Sequence, residues 1–66
     1  MKICDFVEWE LQKFRDECNF TERELAYFEL RAKDKSNTQI AMELNVSEAT
    51  VSVIAKKVKR KMIRVL

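Results

Sequence analysis

The 66-residue chain contains neither glycine nor proline. These two residues supply the positive φ angles and fixed bends of most tight turns, so the sequence does not favour hairpins and sheets. Apolar residues make up 47% of the chain, which is enough for a folded core. We therefore predict an all-α fold, a small bundle of four helices with short connections, in a single domain over residues 1–66.

The N-terminal part, residues 1–19, has the pattern of an amphipathic helix running from about Ile3 to Cys18. Apolar residues recur there at steps of three and four, which places them on one helical face. They are Ile3, Val7, Leu11, Phe14 and Cys18. Asn19 is predicted to end this helix, and residues 20–66 form the core of the domain.

The second helix is predicted to begin at a capping box, in which Thr21 and Glu24 each satisfy the other's backbone amide. Either Asp34 or Lys35 is predicted to end it, because aspartate tolerates the left-handed conformation of a tight stop. The residues expected on its buried line are Leu25, Phe28 and Ala32, with Tyr27 and Leu30 at the edges.

The stretch that follows has the spacing of a helix-turn-helix. One helix is predicted to begin at the capping box of Ser36 and Gln39, and the next at the cap residue Ser47. Two helices that cross steeply need a small residue at their contact and a turn residue that tolerates positive φ. Ala41 and Asn45 meet these two needs. The shared core would draw on Ile40, Leu44, Val46, Val51 and Ile54.

From Phe20 to about Arg64 the chain resembles the LuxR/GerE-type helix-turn-helix domain and the related region 4 of bacterial sigma factors. The resemblance covers about two-thirds of the chain. It implies a DNA-binding transcriptional regulator, with its recognition helix starting at Ser47 and its supporting helix at Ser36. The matching residues are Thr21-Glu22-Arg23-Glu24, Ser36-Asn37, Ile40-Ala41, Leu44, Val46-Ser47-Glu48 and Thr50-Val51.

The chain also departs from the family pattern at several places. It has Asp34-Lys35 where the family usually has glycine, and Ser52 where the family often has lysine. The family's dimer-forming helix after the recognition helix has no counterpart before Leu66, and the helix from Ile3 to Cys18 is additional. We expect no receiver or ligand-binding domain, so any sensing is expected to come from a separate sensor protein.

If Val51, Ile54 and Val58 face the core, the opposite side of the recognition helix faces outward. Outward residues in its first turns are predicted to read base edges in the major groove; they are Ala49, Ser52, Val53 and Lys56. Short donors near helix N-termini and the basic residues that follow are predicted to bind phosphates; they are Thr38, Gln39, Ser47, Thr50, Lys57, Arg60, Lys61 and Arg64. Glu48 either accepts from cytosine N4 or stabilises the start of the helix.

Charge is distributed unevenly along the chain. Residues 1–30 hold four basic and eight acidic residues, whereas residues 49–66 hold six basic residues and no acidic one. A basic, acid-free helix points to a polyanion bound at one face, although a solvated helix surface would have the same composition. The overall net charge of +2 alone would not indicate DNA binding.

Other functional classes lack the residues they need. There is no histidine, and the two cysteines, Cys4 and Cys18, cannot form a structural zinc site or reach each other along one helix. We expect both to be small core residues in a reducing cytoplasm. Without a glycine-rich phosphate loop or a cluster of acid–base groups, no enzyme, cofactor or small-molecule ligand is expected. No signal peptide or membrane span is expected either, so a cytoplasmic protein is predicted.

The helices carry more aromatic and apolar residues than a core of this size can bury. Phe6, Trp9, Ile63 and Leu66 are the candidates to stay exposed, and such a cluster typically marks a partner surface. We therefore predict a homodimer on double-stranded DNA, formed through the N-terminal helix, the C-terminal end of the last helix, or both. One small domain has a small footprint, so tight specific binding is expected to need two copies. The alternative is a sigma region 4-like interaction module that binds RNA polymerase or another regulator, and the acidic first helix suits it.

Overall fold

The computed structural model describes residues 2–66, and its regular structure over that range is entirely helical. A short 3-10 turn and four α-helices follow one another along the chain. The turn covers Ile3–Asp5, and the helices are α1 (Glu8–Glu17), α2 (Glu22–Ala32), α3 (Asn37–Leu44) and α4 (Glu48–Val65). The predicted all-α bundle with a helix-turn-helix is confirmed.

Helix α4 is the element against which the other helices pack. Its 18 residues correspond to a length of about 27 Å at 1.5 Å per residue, which nearly equals the 28 Å longest dimension of the domain. Helices α1, α2 and α3 each contact it. Its inward face has the predicted spacing, with Val51, Val58 and Met62 fully buried and Ile54 almost so. One helix therefore provides the central part of the core and carries the predicted reading residues.

The turn between α3 and α4 is built around Asn45, which takes a left-handed conformation with φ 56°. Two backbone hydrogen bonds close the end of α3 there. The Val46 amide donates to the Ala41 carbonyl at 3.0 Å, and the Asn45 amide donates to Met42 at 3.3 Å. This pairing satisfies carbonyls that the helix end leaves without partners. Ala41 is buried at the helix contact, as its small size predicts.

The turn between α2 and α3 repeats this arrangement at Asp34, whose φ is 62°. Its amide donates to the Arg31 carbonyl at 2.9 Å, and the Lys35 amide donates to the Leu30 carbonyl at 3.1 Å. Asp34 is thus the stop residue, one of the two candidates the sequence offered. Asn19, between α1 and α2, is the third residue with positive φ in the described range. Asparagine and aspartate replace glycine at all three bends.

The first predicted helix is wrong at its start, because α1 begins at Glu8 and not at Ile3. The backbone is extended at Val7, and the Glu10 carboxylate accepts the Val7 amide hydrogen at 3.0 Å, which fixes the helix start there. The extended step lets Ile3 reach the core, where the 3-10 turn contacts α2. Phe6 is also not left over as predicted, since it is half-buried with its ring 5.0 Å from that of Phe14.

The predicted buried line of α2 is also partly wrong. Leu25 is exposed and Ala32 is only half-buried, whereas Tyr27 and Phe28 are buried. The helix is rotated so that Glu24, which the apolar pattern left outside the core, is buried and bonds Lys61 of α4. An ion pair with α4 is therefore one of the contacts that hold α2 in this orientation, and apolar periodicity alone does not show such a contact.

The two cysteines do not share a helix, which differs from the prediction. Cys18 follows α1 and is buried, and burial raises the pKa of its thiol. Cys4 lies in the 3-10 turn, half-buried, with its thiol donating to the Asp34 carboxylate at 3.5 Å. Both are free thiols. Within residues 2–66, no helix has both the length and the apolar character that a membrane span requires.

The left-handed turn residue gives a test of the fold. We expect Asn45→Ala to lower the free energy of unfolding by about 1 kcal/mol, because a Cβ without a polar group is disfavoured in that conformation. Asn45→Gly should cause no comparable loss, since glycine adopts positive φ freely. Urea denaturation of both variants measures the difference. Glu43→Ala, an exposed change in α3, is the matched control; an equal loss in Asn45→Gly would contradict this role.

Candidate nucleic-acid interface

Both helices of the helix-turn-helix begin at side-chain caps. The Ser36 hydroxyl accepts from the Gln39 amide at 3.2 Å, and the Gln39 side-chain carbonyl accepts from the Ser36 amide at 3.0 Å. The Ser47 hydroxyl accepts from the Thr50 amide at 3.2 Å. The predicted caps are confirmed, and they fix the first turns of α3 and α4, whose remaining amides carry a partial positive charge.

Two further hydrogen bonds hold the start of α4 in place. The Thr38 hydroxyl, from α3, donates to the Glu48 carboxylate at 3.1 Å. The hydroxyls of Ser47 and Thr50 lie 3.0 Å apart and share a hydrogen bond. Glu48 thus joins the two helices of the motif, which supports its interpretation as a stabiliser of the helix start.

The predicted reading residues lie together on the outer face of α4. This face is opposite the buried line of Val51, Ile54 and Val58, and every predicted member is exposed to solvent; the four are Ala49, Ser52, Val53 and Lys56. Val53 is an apolar side chain that is 52% exposed. Because Val53 is half exposed beside polar residues, the outer face can offer both hydrogen bonds and a methyl contact to another molecule.

The predicted phosphate contacts on α4 form a basic surface on one side of that helix. Lys57, Arg60 and Arg64 line a shallow depression of about 190 Å³ together with Lys61 and Glu24. Lys57, Arg60 and Arg64 are exposed. Because their long side chains extend from successive turns of one helix, their charges follow the helix for most of its second half.

Lys61 is placed differently from these three basic residues. Its ammonium donates to the Glu24 carboxylate at 2.5 Å and to the Asn19 carbonyl at 3.3 Å. The side chain of Lys61 is 29% exposed and that of Glu24 only 7%. Glu24 also accepts the Thr21 amide hydrogen at 3.0 Å, as the predicted capping box requires. This ion pair therefore links the start of α2 to the C-terminal third of α4.

The electrostatics of Glu24 follow from these contacts. Burial would raise the pKa of its carboxyl group, but hydrogen bonds from Lys61 and from the Thr21 amide outweigh burial. The pKa of Glu24 consequently lies below its ordinary value, and the carboxylate is the form the fold stabilises. The basic depression thus contains one carboxylate whose charge is already neutralised by a lysine of the same domain.

A second ion-pair cluster fixes α1 and was not predicted. The Arg15 guanidinium donates to the Glu29 carboxylate of α2 through two nitrogens, at 3.0 and 2.8 Å, and to Glu8 at 3.0 Å. It also lies 5.9 Å from the centre of the Phe28 ring. These hydrogen bonds raise the pKa of Arg15 against the opposing effect of burial. Arg15 and Glu29 are 14 positions apart and lie on different helices. The periodicity of a single helix therefore does not predict their contact.

The geometry defines a helix-turn-helix, and a family comparison identifies its type. The GerE family model, described as bacterial regulatory proteins of the luxR family, matches residues 18–63. That range covers more than half of the 66 residues. The chain belongs to the luxR family of bacterial regulatory proteins. This family's helix-turn-helix domain is a DNA-binding domain of transcription regulators.

The match to the luxR family leaves α1 outside it, since α1 ends at Glu17. A comparison with curated proteins found no match to the chain, and a comparison with solved structures found none either. Among residues 2–66, no three side chains of the metal-binding types lie close enough together to hold a metal ion. The luxR match thus covers α2, α3 and most of α4.

The Glu24–Lys61 pair should make stability depend on pH. Because the folded pKa of Glu24 is lowered, its contribution is complete above the ordinary value of 4.5 and is lost as the pH falls through the folded pKa. We expect this part of the acid-induced loss of stability to be absent in Glu24→Gln, which keeps the capping side chain. Urea unfolding between pH 3 and 7 measures it. Identical pH profiles for the two proteins would contradict the assignment.

Breaking the same pair from the other side should be costly. Lys61→Met leaves a buried carboxylate without its partner, and we expect a loss of about 3 kcal/mol at neutral pH. The double variant Glu24→Gln/Lys61→Met should recover most of that loss. Lys59→Met, which removes an exposed lysine from the same helix, is the control. A Lys61→Met protein as stable as the Lys59→Met protein would show that the ion pair contributes little.

Proposed function

We propose that this luxR-family chain is a sequence-specific transcriptional regulator that inserts α4 into the major groove of DNA and acts as a dimer. The observation that carries the proposal is the two-sided character of α4. Its inner face packs in the domain core. Its outer face exposes polar and apolar residues in the first turns and basic residues after them, which suits a helix inserted into the major groove. The luxR-family match supports the same conclusion at the level of the family.

The first turns of α4 are proposed to read the bases. Lys56 would donate to guanine O6 or N7, and Ser52 would form hydrogen bonds with several bases. Ala49 and Val53 would contact thymine methyl groups, which gives the exposed Val53 side chain an apolar partner. These four residues lie on one exposed face, within the first three turns of the helix.

Phosphate contacts are proposed at the helix starts and along the basic side of α4. Short donors near the N-termini of α3 and α4 would hold the backbone of one strand; they are Gln39, Ser47 and Thr50. The fourth predicted donor, Thr38, would first have to release Glu48, to which its hydroxyl donates in the free domain. The exposed basic residues Lys57, Arg60 and Arg64 would follow the phosphates beyond the groove. Lys61 contributes to the potential of this surface, but its ammonium is held by Glu24.

A dimer is proposed because one domain offers few contacts. A module of this size buries roughly 600–1,000 Å² on DNA, whereas tight specific sites are commonly bound by two copies. Symmetric pairing would double the contacts and would read an inverted repeat. A separate sensor protein would then supply any regulation.

The rival function is that of a sigma region 4-like module that binds RNA polymerase or another regulator. The acidic, solvent-facing side of α1 is the feature that favours it, because such a surface suits a basic protein partner. The basic surface of α4 disfavours it. Binding to a duplex of random sequence at low salt separates the two functions: the interaction module would not bind, and the regulator would bind with strong salt dependence.

The phosphate contacts should determine how binding depends on salt. With four to six contacts per protomer, we expect a log–log slope of about −4 to −5. Lys57→Met should make this slope less steep by about 0.9 and weaken binding to every duplex alike. Fluorescence anisotropy on random duplex at several salt concentrations measures it. Lys2→Met, an exposed lysine before the 3-10 turn, is the control, and equal slopes in both variants would contradict the contact.

The reading residues should determine sequence preference. Lys56→Ala is expected to cost about 1–3 kcal/mol on the preferred sequence and to relax the preference at one base pair. On a random duplex its loss should be no larger than that of Lys57→Met. Selection of duplexes from a random pool, followed by affinity measurements with both variants, checks this. If Lys56→Ala and Lys57→Glu both leave binding unchanged at low salt, the DNA-binding proposal fails.

A further inference from the structure

Two of the predicted phosphate donors are already bonded to carboxylates of the same domain. The Thr38 hydroxyl donates to Glu48, and the Lys61 ammonium donates to Glu24. The two pairs differ in burial, because Thr38 and Glu48 are both exposed, whereas the side chain of Glu24 is only 7% exposed. Water can therefore solvate Glu48 when Thr38 leaves it, but little water reaches Glu24.

The position of Lys61 on α4 places this bond inside the basic surface. Four cationic side chains share one side of the helix, because they follow one another at steps of three, one and three residues; they are Lys57, Arg60, Lys61 and Arg64. All four line the same depression as Glu24. Within residues 2–66, Lys61 is the one member of this set that forms an ion pair. A DNA strand at this surface therefore meets four cations, of which one already has a partner.

The strengths of the two possible contacts determine which one Lys61 keeps when DNA is bound. A single phosphate contact changes log K by about 0.9 for each tenfold change in salt, so it strengthens binding about eightfold at 0.1 M salt relative to 1 M. Leaving a buried carboxylate without its partner lowers an equilibrium constant by at least about a hundredfold. Glu24 is such a carboxylate, and the Asn19 carbonyl also accepts from the Lys61 ammonium, at 3.3 Å. The contact within the domain is therefore the stronger of the two.

We propose that Glu24 prevents Lys61 from binding phosphates in the DNA complex, and that it thereby limits the affinity of this chain for DNA of any sequence. This inference rests on the proposed DNA-binding function. Glu24 acts through Lys61, so it is a positioning residue for the basic surface. Because phosphate contacts carry no direct sequence information, the limit applies equally to preferred and to random duplexes.

The variant Glu24→Gln tests the proposal, because glutamine can still accept the Thr21 amide hydrogen but cannot neutralise an ammonium. We expect the log–log salt slope on random duplex to become steeper by about 0.9. Binding at 0.1 M salt should become about eightfold tighter per protomer. Fluorescence anisotropy over a series of salt concentrations measures both quantities. The same gain is expected on the preferred sequence, so the preference for that sequence stays unchanged.

Two further variants identify the source of the gain. Glu22→Gln removes the same charge from an exposed position two residues earlier in α2, and it should leave the slope unchanged. The double variant Glu24→Gln/Lys61→Met should lose the additional 0.9 and return to the slope of the unmodified chain. Circular dichroism verifies that each variant is folded.

Acetylation of the lysines examines the same contact in the unmodified chain. Acetic anhydride should modify Lys57 readily in the free protein and slowly in the DNA complex. Lys61 should react slowly in both states, because its ammonium stays with Glu24 and Asn19. Tandem mass spectrometry after a short reaction measures the extent of modification at each lysine.

Four outcomes would overturn the proposal and leave the DNA-binding function standing. Three concern the salt slope: no change in Glu24→Gln, an equal steepening in Glu22→Gln, or a steepening that persists in Glu24→Gln/Lys61→Met. The fourth is a Lys61 that reacts readily in the free protein and is protected by DNA. Failure of the proposed function has a different result, in which the unmodified chain and Lys57→Met both bind random duplex weakly and without salt dependence.

Discussion

The packing of one face of α4 against the other helices is the interaction on which this structure depends. Val51, Val58 and Met62 are fully buried along that face, and helices α1 to α3 all contact it. A domain of 66 residues has little apolar area to spare, so its stability depends on burying this face fully. The orientation of the outer face follows directly, because residues two positions along the helix from the core point away from it. The buried side of α4 thus organises the fold, and its exposed side is the proposed DNA-reading surface.

The bends between the helices show how a chain without glycine makes its turns. Asn19, Asp34 and Asn45 all adopt left-handed backbone conformations. Their short polar side chains reduce the steric cost that other residues pay there. Asparagine and aspartate remain less favourable than glycine at positive φ. Hydrogen bonds and the caps of the following helices, as at Ser36 and Ser47, therefore help to hold these turns. Local bonds between residues three to five apart define the motif, and this is why its sequence pattern is so informative.

Sequence reasoning succeeded where the information is local. The caps, the turn at Asn45 and the buried face of α4 all follow from residues a few positions apart, and each is observed in the structure. It failed where a contact joins distant positions. The partners Glu24 and Lys61 are 37 residues apart, and Arg15 and Glu29 are 14 apart. The extended break before Glu8 was also missed, because the continuous amphipathic pattern gave no sign of it, although the Val7–Glu10 hydrogen bond that fixes the helix start is local. The roles of the exposed residues on α4 remain predictions, since burial alone does not identify a ligand.

The Glu24–Lys61 pair combines a local feature, the cap of α2, with a contact between distant positions. It attaches the capped start of α2 to α4 at a depression lined by three further basic residues of that helix. A buried carboxylate with no cation would be costly inside the domain, and it would also oppose a polyanion at this surface. With Lys61 bound to it, the carboxylate orients α2 while Lys57, Arg60 and Arg64 stay available for an external partner. In a domain this small, α4 contributes core residues, the ion pair with α2 and the exposed basic residues. Because Lys61 neutralises the Glu24 carboxylate, that ion pair holds α2 while the surface remains basic.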